Sequence, residues 1–213
     1  MNATYSSLEA IEDDIAEIRR LNLSPEYMAK QMHKIPDAPG IDRIEVIRQA
    51  CRGKRVLNLG CASGALHERI ASAAREVYCA DCEPAPKEHH PHHQQLDLDN
   101  WMSVKAMWLP SVDVVVLGEI IEHLTNPGQL LCHLRQCNAF VVVSVPNAMS
   151  AGAERWAMKG YENVHIQHTA WYSYHTLHVL MERCGYRVLN FGWYNGEPRT
   201  AEGLVCIAEA KGD

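Results

Sequence analysis

The sequence predicts an α/β fold: a doubly wound, seven-stranded and mostly parallel sheet with an antiparallel C-terminal hairpin, plus an N-terminal helical cap. Three observations support this prediction. From residue 55 onward, short apolar runs alternate with segments of helical periodicity, as in repeated βα units. A glycine-bearing turn follows the first run, and the last two runs flank a turn-forming segment. We expect a cap over residues 1–51 and a sheet domain over residues 52–213.

The first part of the chain is predicted to be helical. Ser6 and Glu9 form a capping box, and apolar residues between Leu8 and Leu21 recur at helical spacing. Pro25 suits the first position of a second helix, and a third helix precedes residue 53. These helices could cover a site or only pack against the sheet, and the sequence leaves both interpretations open.

The predicted strands are short and rich in β-branched residues. They span residues 55–59, 76–80, 94–98, 112–117 and 139–145, and a hairpin pairs 186–194 with 203–208. Helices fit residues 63–74, 126–137 and 173–184. The continuous apolar run in the fourth strand suits a strand that is buried on both faces, which is typical of a parallel sheet.

Composition and charge narrow the class of protein. The 213 residues are 47% hydrophobic and have a net charge of -6, without a run of Lys or Arg. This balance argues against a nucleic-acid partner and favours a small or neutral substrate. No apolar stretch approaches about 20 residues, so we expect no transmembrane helix. The amino terminus lacks the features of a signal peptide, so we expect a cytoplasmic protein. The sequence makes no prediction of oligomeric state.

Eight cysteines and a run of histidines are candidate ligands for a metal site. The cysteines are scattered, and Cys79-x-x-Cys82 has no second pair, which argues against zinc there. We expect most of these cysteines to be reduced and buried as small hydrophobic residues. The run His89-His90-Pro91-His92-His93 is interpreted as a solvated loop, because consecutive residues around a proline do not converge on one ion.

The turn after the first strand indicates a nucleotide-like cofactor. Gly60 and Gly64 allow the backbone to bend tightly and to approach a ligand closely. The helix that follows directs its first N–H groups back towards the same place. A tight βα turn without a ligand is the alternative. No Gly-Lys-Ser/Thr follows, so the turn is not a P-loop.

These motifs, in this order, resemble the class I S-adenosylmethionine-dependent methyltransferases, which have a Rossmann-like fold. The resemblance covers residues 52–210 and implies S-adenosylmethionine as cofactor. Asn58 and Ala62 depart from the family's usual acidic residue and frequent glycine in the glycine loop. Asp81 stands where the family binds ribose, and Asp97 stands where it binds adenine. The implied cofactor-binding residues are Asn58, Gly60, Cys61, Ala62, Gly64, Asp81, Cys82, Asp97, Leu98 and Glu119.

The segment after the fourth strand points to the reaction. Glu119, Glu122 and His123 form a Glu-x-x-Glu-His motif, and a helical turn would place them on one face. The motif resembles a metal site of ubiquinone-pathway O-methyltransferases and of small-RNA ribose 2′-O-methyltransferases. That resemblance implies Glu119, Glu122, His123 and His168 as ligands, with His165 as a near competitor. Such a set suits Mg, Mn, Fe, Co or Zn as a second cofactor.

We expect His123, Glu122 and His168 to be the catalytic residues. A bound cation would lower the pKa of an acceptor hydroxyl. Without a metal, His123 would act as a general base near neutral pH. The expected function is O-methylation of a small-molecule or saccharide hydroxyl. The alternatives are metal-dependent ribose 2′-O-methylation of RNA and a non-catalytic protein that binds the cofactor or a partner.

Overall fold

The computed structural model describes residue 20 and residues 33–35, 38–61, 65–84 and 92–212. The chain divides into two compact units, Met1–Pro36 and Asp37–Asp213. The predicted helices around Ser6 to Leu21 and at Pro25 lie outside the described residues, so a covering role for them stays a prediction. The third predicted helix belongs to the second unit, so this division precedes the predicted domain boundary at residues 51–52.

Seven strands form one sheet in the order β3-β2-β1-β4-β5-β7-β6. Their bounds are β1 Arg55–Leu59, β2 Glu76–Asp81, β3 His93–Gln95, β4 Val114–Gly118, β5 Phe140–Pro146, β6 Tyr186–Tyr194 and β7 Gly203–Ala210. The first five strands pair in parallel, and β7 pairs antiparallel with both β5 and β6. The predicted fold class is confirmed.

Six α-helices connect or flank the described strands. They are α1 Arg43–Cys51, α2 Ala65–Ala71, α3 Trp101–Ala106, α4 Pro127–Leu134, α5 Ala151–Ala157 and α6 Tyr174–Arg183. The sequence patterns did not predict α3 and α5, which are short. Each begins at a side-chain cap, Asn100 for α3 and Ser150 for α5. Among the helices that the structure describes, none is both long and apolar enough to cross a membrane.

The core lies between the sheet and its helices. Ile47 and Cys51 of α1 are fully buried and pack with Val56, Val114 and other apolar residues of the central strands. The strand order reverses between β1 and β4, because β1 leads to β2 on one side while β4 leads to β5 on the other. Ligands of open α/β sheets bind in the crevice at the carboxyl ends of the strands at such a reversal.

Candidate active site

A cavity of about 440 Å³ opens at the carboxyl ends of β1, β2 and β4. Its wall contains Gly60 after β1, Asp81 at the end of β2, and Glu119 and Ile120 after β4. The remaining lining residues come from the neighbouring loops: Cys82, Asp97, Leu98, Asp99, His123, Leu124 and Gln167. Three strand ends therefore contribute to one concave surface, and we call it the first cavity.

The backbone at Gly60 explains why a glycine follows β1. Its φ is 70°, in the left-handed region that side chains rarely adopt. A Cβ atom on Gly60 would lie 1.8 Å from Cδ1 of Ile120, which also lines the first cavity. Both the dihedral angle and the close approach of the Ile120 side chain therefore favour glycine at this position.

Two of the predicted cofactor-binding residues, Asp81 and Asp97, lie on the wall of the first cavity. Asp81 is 6% exposed, and its Oδ1 accepts a hydrogen bond of 2.9 Å from the amide of Glu83. Asp97 lies two residues beyond the short β3, and its Oδ1 accepts a hydrogen bond of 2.9 Å from the amide of Asp99. Asp99 in turn accepts from the Thr125 amide at 2.7 Å. These turns orient the carboxylates at the edge of the sheet.

Some of the predicted cofactor-binding residues lie elsewhere. Asn58 is buried, does not line the first cavity, and its amide lies 3.1 Å from Nδ1 of His67. The Cys61 thiol is also buried, 3.7 Å from Nδ1 of His93. Ala62 and Gly64 lie outside the described residues, so their contacts with a cofactor stay predictions.

A second cavity of about 400 Å³ lies on the other side of Glu119. Most of its lining comes from the segment between β5 and α6. Its residues are Arg43, Glu119, Pro146, Asn147, Ala148, Ser150, Gly152, Ala153, Asn163, Val164, His165, His168, Ala170, Trp171, Tyr194, Asn195 and Glu202. Amide and carboxylate groups contribute much of this wall, which suits a polar ligand.

Glu119 stands at the junction of the two cavities, because it lines both. Its φ is 59°, an uncommon conformation for a residue with a side chain. Its Oε1 pairs with Nη1 of Arg43 at 3.2 Å and accepts a hydrogen bond of 2.7 Å from the Tyr194 hydroxyl. The Arg43 guanidinium also stacks over the Tyr194 ring, 5.1 Å from its centroid. These contacts fix the carboxylate between the cavities.

Three imidazoles gather beside this junction. His123 lines the first cavity, whereas His165 and His168 line the second. The ring centroids of His123 and His168 are 4.6 Å apart, and that of His165 lies 5.6 Å from His123 and 5.3 Å from His168. Their coordinating nitrogen atoms all lie within 4.8 Å of one another. We refer to these three residues as the histidine trio.

Backbone hydrogen bonds fix the loop that carries two members of the trio. The carbonyl of Glu122 accepts from the amides of Thr169 at 2.8 Å and Ala170 at 3.2 Å. The Thr169 hydroxyl donates to the carbonyl of Leu124 at 2.7 Å. The loop is thus bound to the 3₁₀ turn Ile121–His123 that follows β4. The same turn presents the third imidazole, so the trio has a well-defined geometry.

Burial tunes two of these imidazoles towards the neutral form. Burial lowers the pKa of His123 below 6.5, and the neighbouring His165 adds to this effect. Burial likewise lowers the pKa of His168, with smaller contributions from His123 and His165. Both rings are therefore largely neutral at pH 7, which is the state required of a general base or a metal ligand.

Glu122 lies in a different environment from the trio. Its side chain is 1% exposed, and neither carboxylate oxygen has a hydrogen-bond partner among the described residues. Burial, aided by the charge of Glu119, raises the pKa of Glu122 to about 8. At neutral pH the group is therefore mostly protonated, and it does not act as a carboxylate there.

The structure does not bring the four predicted metal ligands together. In the part of the chain that the structure describes, the cluster at this site contains His123, His165 and His168 but neither glutamate. The cause is the backbone: Glu119 is left-handed, and a 3₁₀ turn begins two residues later, so no single helical face forms. The structure adds His165, the near competitor, and it places Glu119 with Arg43.

A scan against protein-family models matches residues 27–190 to a model described as a methyltransferase domain. The match covers most of the chain. The chain belongs to the methyltransferase domain family. The first cavity lies where the resemblance to this family had placed the cofactor, with Gly60 and Asp81 in its wall.

Curated relatives and solved structures agree with this family assignment. The mitochondrial ubiquinone biosynthesis O-methyltransferase of Schizosaccharomyces pombe is 32% identical over 97 residues, 42% of this chain and 35% of that protein. A probable S-adenosylmethionine-dependent methyltransferase of Mycolicibacterium smegmatis is 34% identical over 119 residues, 51% of this chain and 46% of that protein. The chain thus matches less than half the length of either curated relative.

Among solved structures, a SAM-dependent methyltransferase from Archaeoglobus fulgidus superposes with a TM-score of 0.60 at 15% identity. The superposition covers 78% of this chain and 94% of that one. At this level of identity the similarity concerns the fold. It confirms the Rossmann-like architecture of the methyltransferase family for the sheet and its flanking helices.

Sequence reasoning missed two residues of this site. Arg43 begins α1 and is far from Glu119 in the sequence, but its guanidinium pairs with the Glu119 carboxylate in the fold. Tyr194 ends β6 and is buried. Burial raises the pKa of its hydroxyl group, and the contact with Glu119 raises this pKa further. Local pattern gives no signal for either contact, because both depend on the antiparallel placement of β6 and on the docking of α1.

Proposed function

We propose that this chain transfers the methyl group of S-adenosylmethionine to a hydroxyl group of a small molecule or saccharide. The observation that supports this most is the meeting of two cavities at Glu119 and the histidine trio. A methyltransferase needs the methyl donor and the acceptor on either side of a short junction, since the displacement is in line. The first cavity suits the donor, and the second suits the acceptor.

The residues in the wall of the first cavity suit the methyl donor. A carboxylate at the end of β2 can accept hydrogen bonds from both ribose hydroxyls, and Asp81 is at that position. The turn at Gly60 lets the backbone approach the amino-acid portion of the donor. The cofactor supplies the activated methyl group, so the protein's task is to orient both partners and to receive a proton.

Transfer requires the acceptor oxygen to lose its proton as it attacks. The oxygen forms a bond to the methyl carbon, the carbon–sulfur bond breaks, and its electron pair stays on sulfur, which becomes the neutral thioether. The hydroxyl proton passes to the imidazole pair His123–His168, of which His168 lines the acceptor cavity. The lowered pKa of both rings keeps them able to receive it at pH 7.

A divalent cation fits the donor set of the histidine trio. Three imidazoles within 4.8 Å of one another suit Zn²⁺, Co²⁺ or Fe²⁺ better than Mg²⁺, which prefers oxygen ligands. His123, His165 and His168 would hold the ion, and the ion would lower the pKa of the acceptor hydroxyl. The proposal therefore has two versions: in one the ion assists deprotonation of the acceptor, and in the other the imidazole pair acts alone.

The second cavity favours a polar acceptor. Asn163, Asn195 and Glu202 are exposed on its wall, and its volume of about 400 Å³ is in the range of small-ligand sites. Amide and carboxylate groups pair with several hydroxyls, which suits a saccharide or another polyhydroxylated molecule. The net charge of -6 disfavours a long polyanion as acceptor.

A methyl-transfer assay with labelled donor tests this proposal. Saccharides, small alcohols and phenols, and a small RNA with a free terminal ribose form the acceptor panel. We expect labelled product with a small hydroxyl acceptor, and a fall in kcat of about 10²–10⁴-fold in His168→Ala. Activity that survives exhaustive chelation favours the imidazole pair without metal. Donor binding without turnover on the panel, or transfer to RNA alone, would contradict the proposal.

A further inference from the structure

Three neighbouring strands carry polar or thiol side chains at matching positions, and none of these side chains lines either cavity. Asn58 of β1 is the register partner of Cys79 of β2, and Cys79 is the partner of His93 of β3. Register partners in a sheet face the same side, so the three side chains lie in one row. His67 of α2 extends the row, because its Nδ1 lies 3.1 Å from the Asn58 amide nitrogen.

The thiol of Cys61 joins this row from the loop after β1. Its Sγ lies 3.7 Å from Nδ1 of His93, and Sγ of Cys79 lies 3.6 Å from the same nitrogen. The coordinating atoms of Cys61, His67 and Cys79 all lie within 4.8 Å of one another. Their exposed fractions are 4%, 4% and 1%. We call Cys61, His67, Cys79 and His93 the thiol–imidazole cluster.

The orientation of His93 is that of a metal ligand. Its Nε2 lies 3.1 Å from the carbonyl oxygen of Glu83, which can only accept, so Nε2 bears the proton. Nδ1 is then the unprotonated nitrogen, and it faces both sulfur atoms. Metal-binding histidines typically donate their second N–H to a backbone carbonyl or a carboxylate in this way.

The two thiols lie close enough together to bind one ion, because their sulfur atoms are within 4.8 Å of each other. A thiolate is the form that binds a metal ion. On binding, each thiol would release its proton to solvent, and the two thiolates would balance the charge of a divalent cation.

The distances at the His93 nitrogen match a tetrahedral site. With Zn–S of about 2.3 Å and Zn–N of about 2.0–2.1 Å, sulfur and nitrogen ligands stand about 3.5–3.6 Å apart. The two sulfur-to-nitrogen distances in the cluster are 3.7 and 3.6 Å. We propose that Cys61, His67, Cys79 and His93 form a closed structural site for Zn²⁺. Two sulfur and two nitrogen ligands are typical of such sites, and three of the four side chains here are buried from solvent.

This site is separate from the proposed methyl transfer, and its role is mechanical. The four ligands come from the loop after Gly60, from α2, from β2 and from β3. A bound ion would therefore tie the loop after the first strand to the three elements around it. The histidine trio differs, because it contains no thiol and borders both cavities.

Titration of the reduced, metal-stripped chain with Co²⁺ tests the site, because thiolate ligands give cobalt an intense near-ultraviolet charge-transfer absorption. We expect this band to saturate as Co²⁺ is added and to disappear when Zn²⁺ is added. Cys79→Ser should abolish the band and weaken Zn²⁺ binding by more than about 100-fold. Cys206→Ser, which removes a buried thiol in β7, and His168→Ala, which disrupts the trio, should leave it unchanged.

A second variant keeps the test decisive if Cys79→Ser does not fold. His93→Gln changes a half-buried side chain at the end of the cluster and should weaken Zn²⁺ binding at least about 10-fold while circular dichroism stays native. No charge-transfer band in the wild-type chain would overturn the proposal. So would a band that persists in a folded Cys79→Ser variant, or equal Zn²⁺ affinity of the wild type and His93→Gln.

Discussion

Replacing Glu122 by glutamine tests the electrostatics of the site through stability alone. The carboxyl group is 1% exposed, its oxygens have no hydrogen-bond partner among the described residues, and its pKa rises from 4.5 to about 8. Folding therefore requires the group to keep a proton that the unfolded chain releases. Glutamine has nearly the same shape and polarity as the protonated acid but does not titrate.

The size of the effect follows from the two pKa values. Each pH unit between the unfolded value of 4.5 and the working pH costs about 1.4 kcal/mol, so the penalty at pH 7 is about 3 kcal/mol. Because the folded pKa is raised, wild-type stability is complete below pH 4.5 and declines as the pH rises towards 8. Glu122→Gln should thus be more stable than the wild type by about 3 kcal/mol at pH 7.

Urea unfolding with a chelator present, followed by tryptophan fluorescence between pH 4.5 and pH 8, measures this difference. The advantage of the variant should vanish near pH 4.5 and increase steadily above it. Glu154→Gln, on the exposed surface of α5, controls for the loss of a solvated carboxylate. A variant that is less stable than the wild type at pH 7, or a difference that does not change with pH, would refute the reasoning.

Three further predictions concern the first cavity and the imidazole pair. Gly60→Ala should destabilise the fold and weaken the binding of S-adenosylhomocysteine, as measured by calorimetry. Gly53 has a similar φ of 67° but open space around a Cβ atom, so Gly53→Ala should lower stability only. Equal effects of the two variants on binding would contradict this prediction. Asp81→Asn should weaken the same ligand about 10–100-fold, and unchanged affinity would remove the ribose assignment. Because burial lowers the pKa of His123, kcat/KM should decline only below pH 6.5, and an acidic limb above pH 7 would count against the proposed base.

The sheet was predictable because its strands are encoded locally. The runs that became β1 and β6 have the predicted bounds, since apolar and β-branched residues end at turn-forming ones. The third strand was predicted over residues 94–98 but spans His93–Gln95. Asp97 there turns back to accept a hydrogen bond from Asp99, and such side-chain-to-backbone bonds compete with strand pairing.

The candidate site was predictable in its position but less so in its internal geometry. Strand ends placed Asp81, Asp97 and Glu119 at one edge of the sheet, and the structure has all three in the wall of the first cavity. Because the backbone at Glu119 is left-handed, the Glu-x-x-Glu-His motif after β4 does not form one helical face. Glutamate rarely adopts this conformation, so the residue type does not predict it. The distant partner Arg43 depends on tertiary docking, which local pattern does not contain.

The cysteines also show the limit of local sequence patterns. Spacing argued against zinc because Cys79-x-x-Cys82 stands alone, and the structure indeed uses Cys79 without Cys82 in the thiol–imidazole cluster. The ligands converge through the register of β2 with β3 and through the loop after β1. Spacing rules find sites within one turn or hairpin, so a cluster assembled across a parallel sheet escapes them.

A crystal structure of the chain with S-adenosylhomocysteine tests the central claim most directly. We expect the ribose hydroxyls on Asp81, the amino-acid portion beside Gly60, and the sulfur directed towards Glu119 and His123 at the junction of the cavities. The second cavity should stay open next to His168 for the acceptor. A ligand bound in the second cavity, or a sulfur directed away from the junction, would contradict the account.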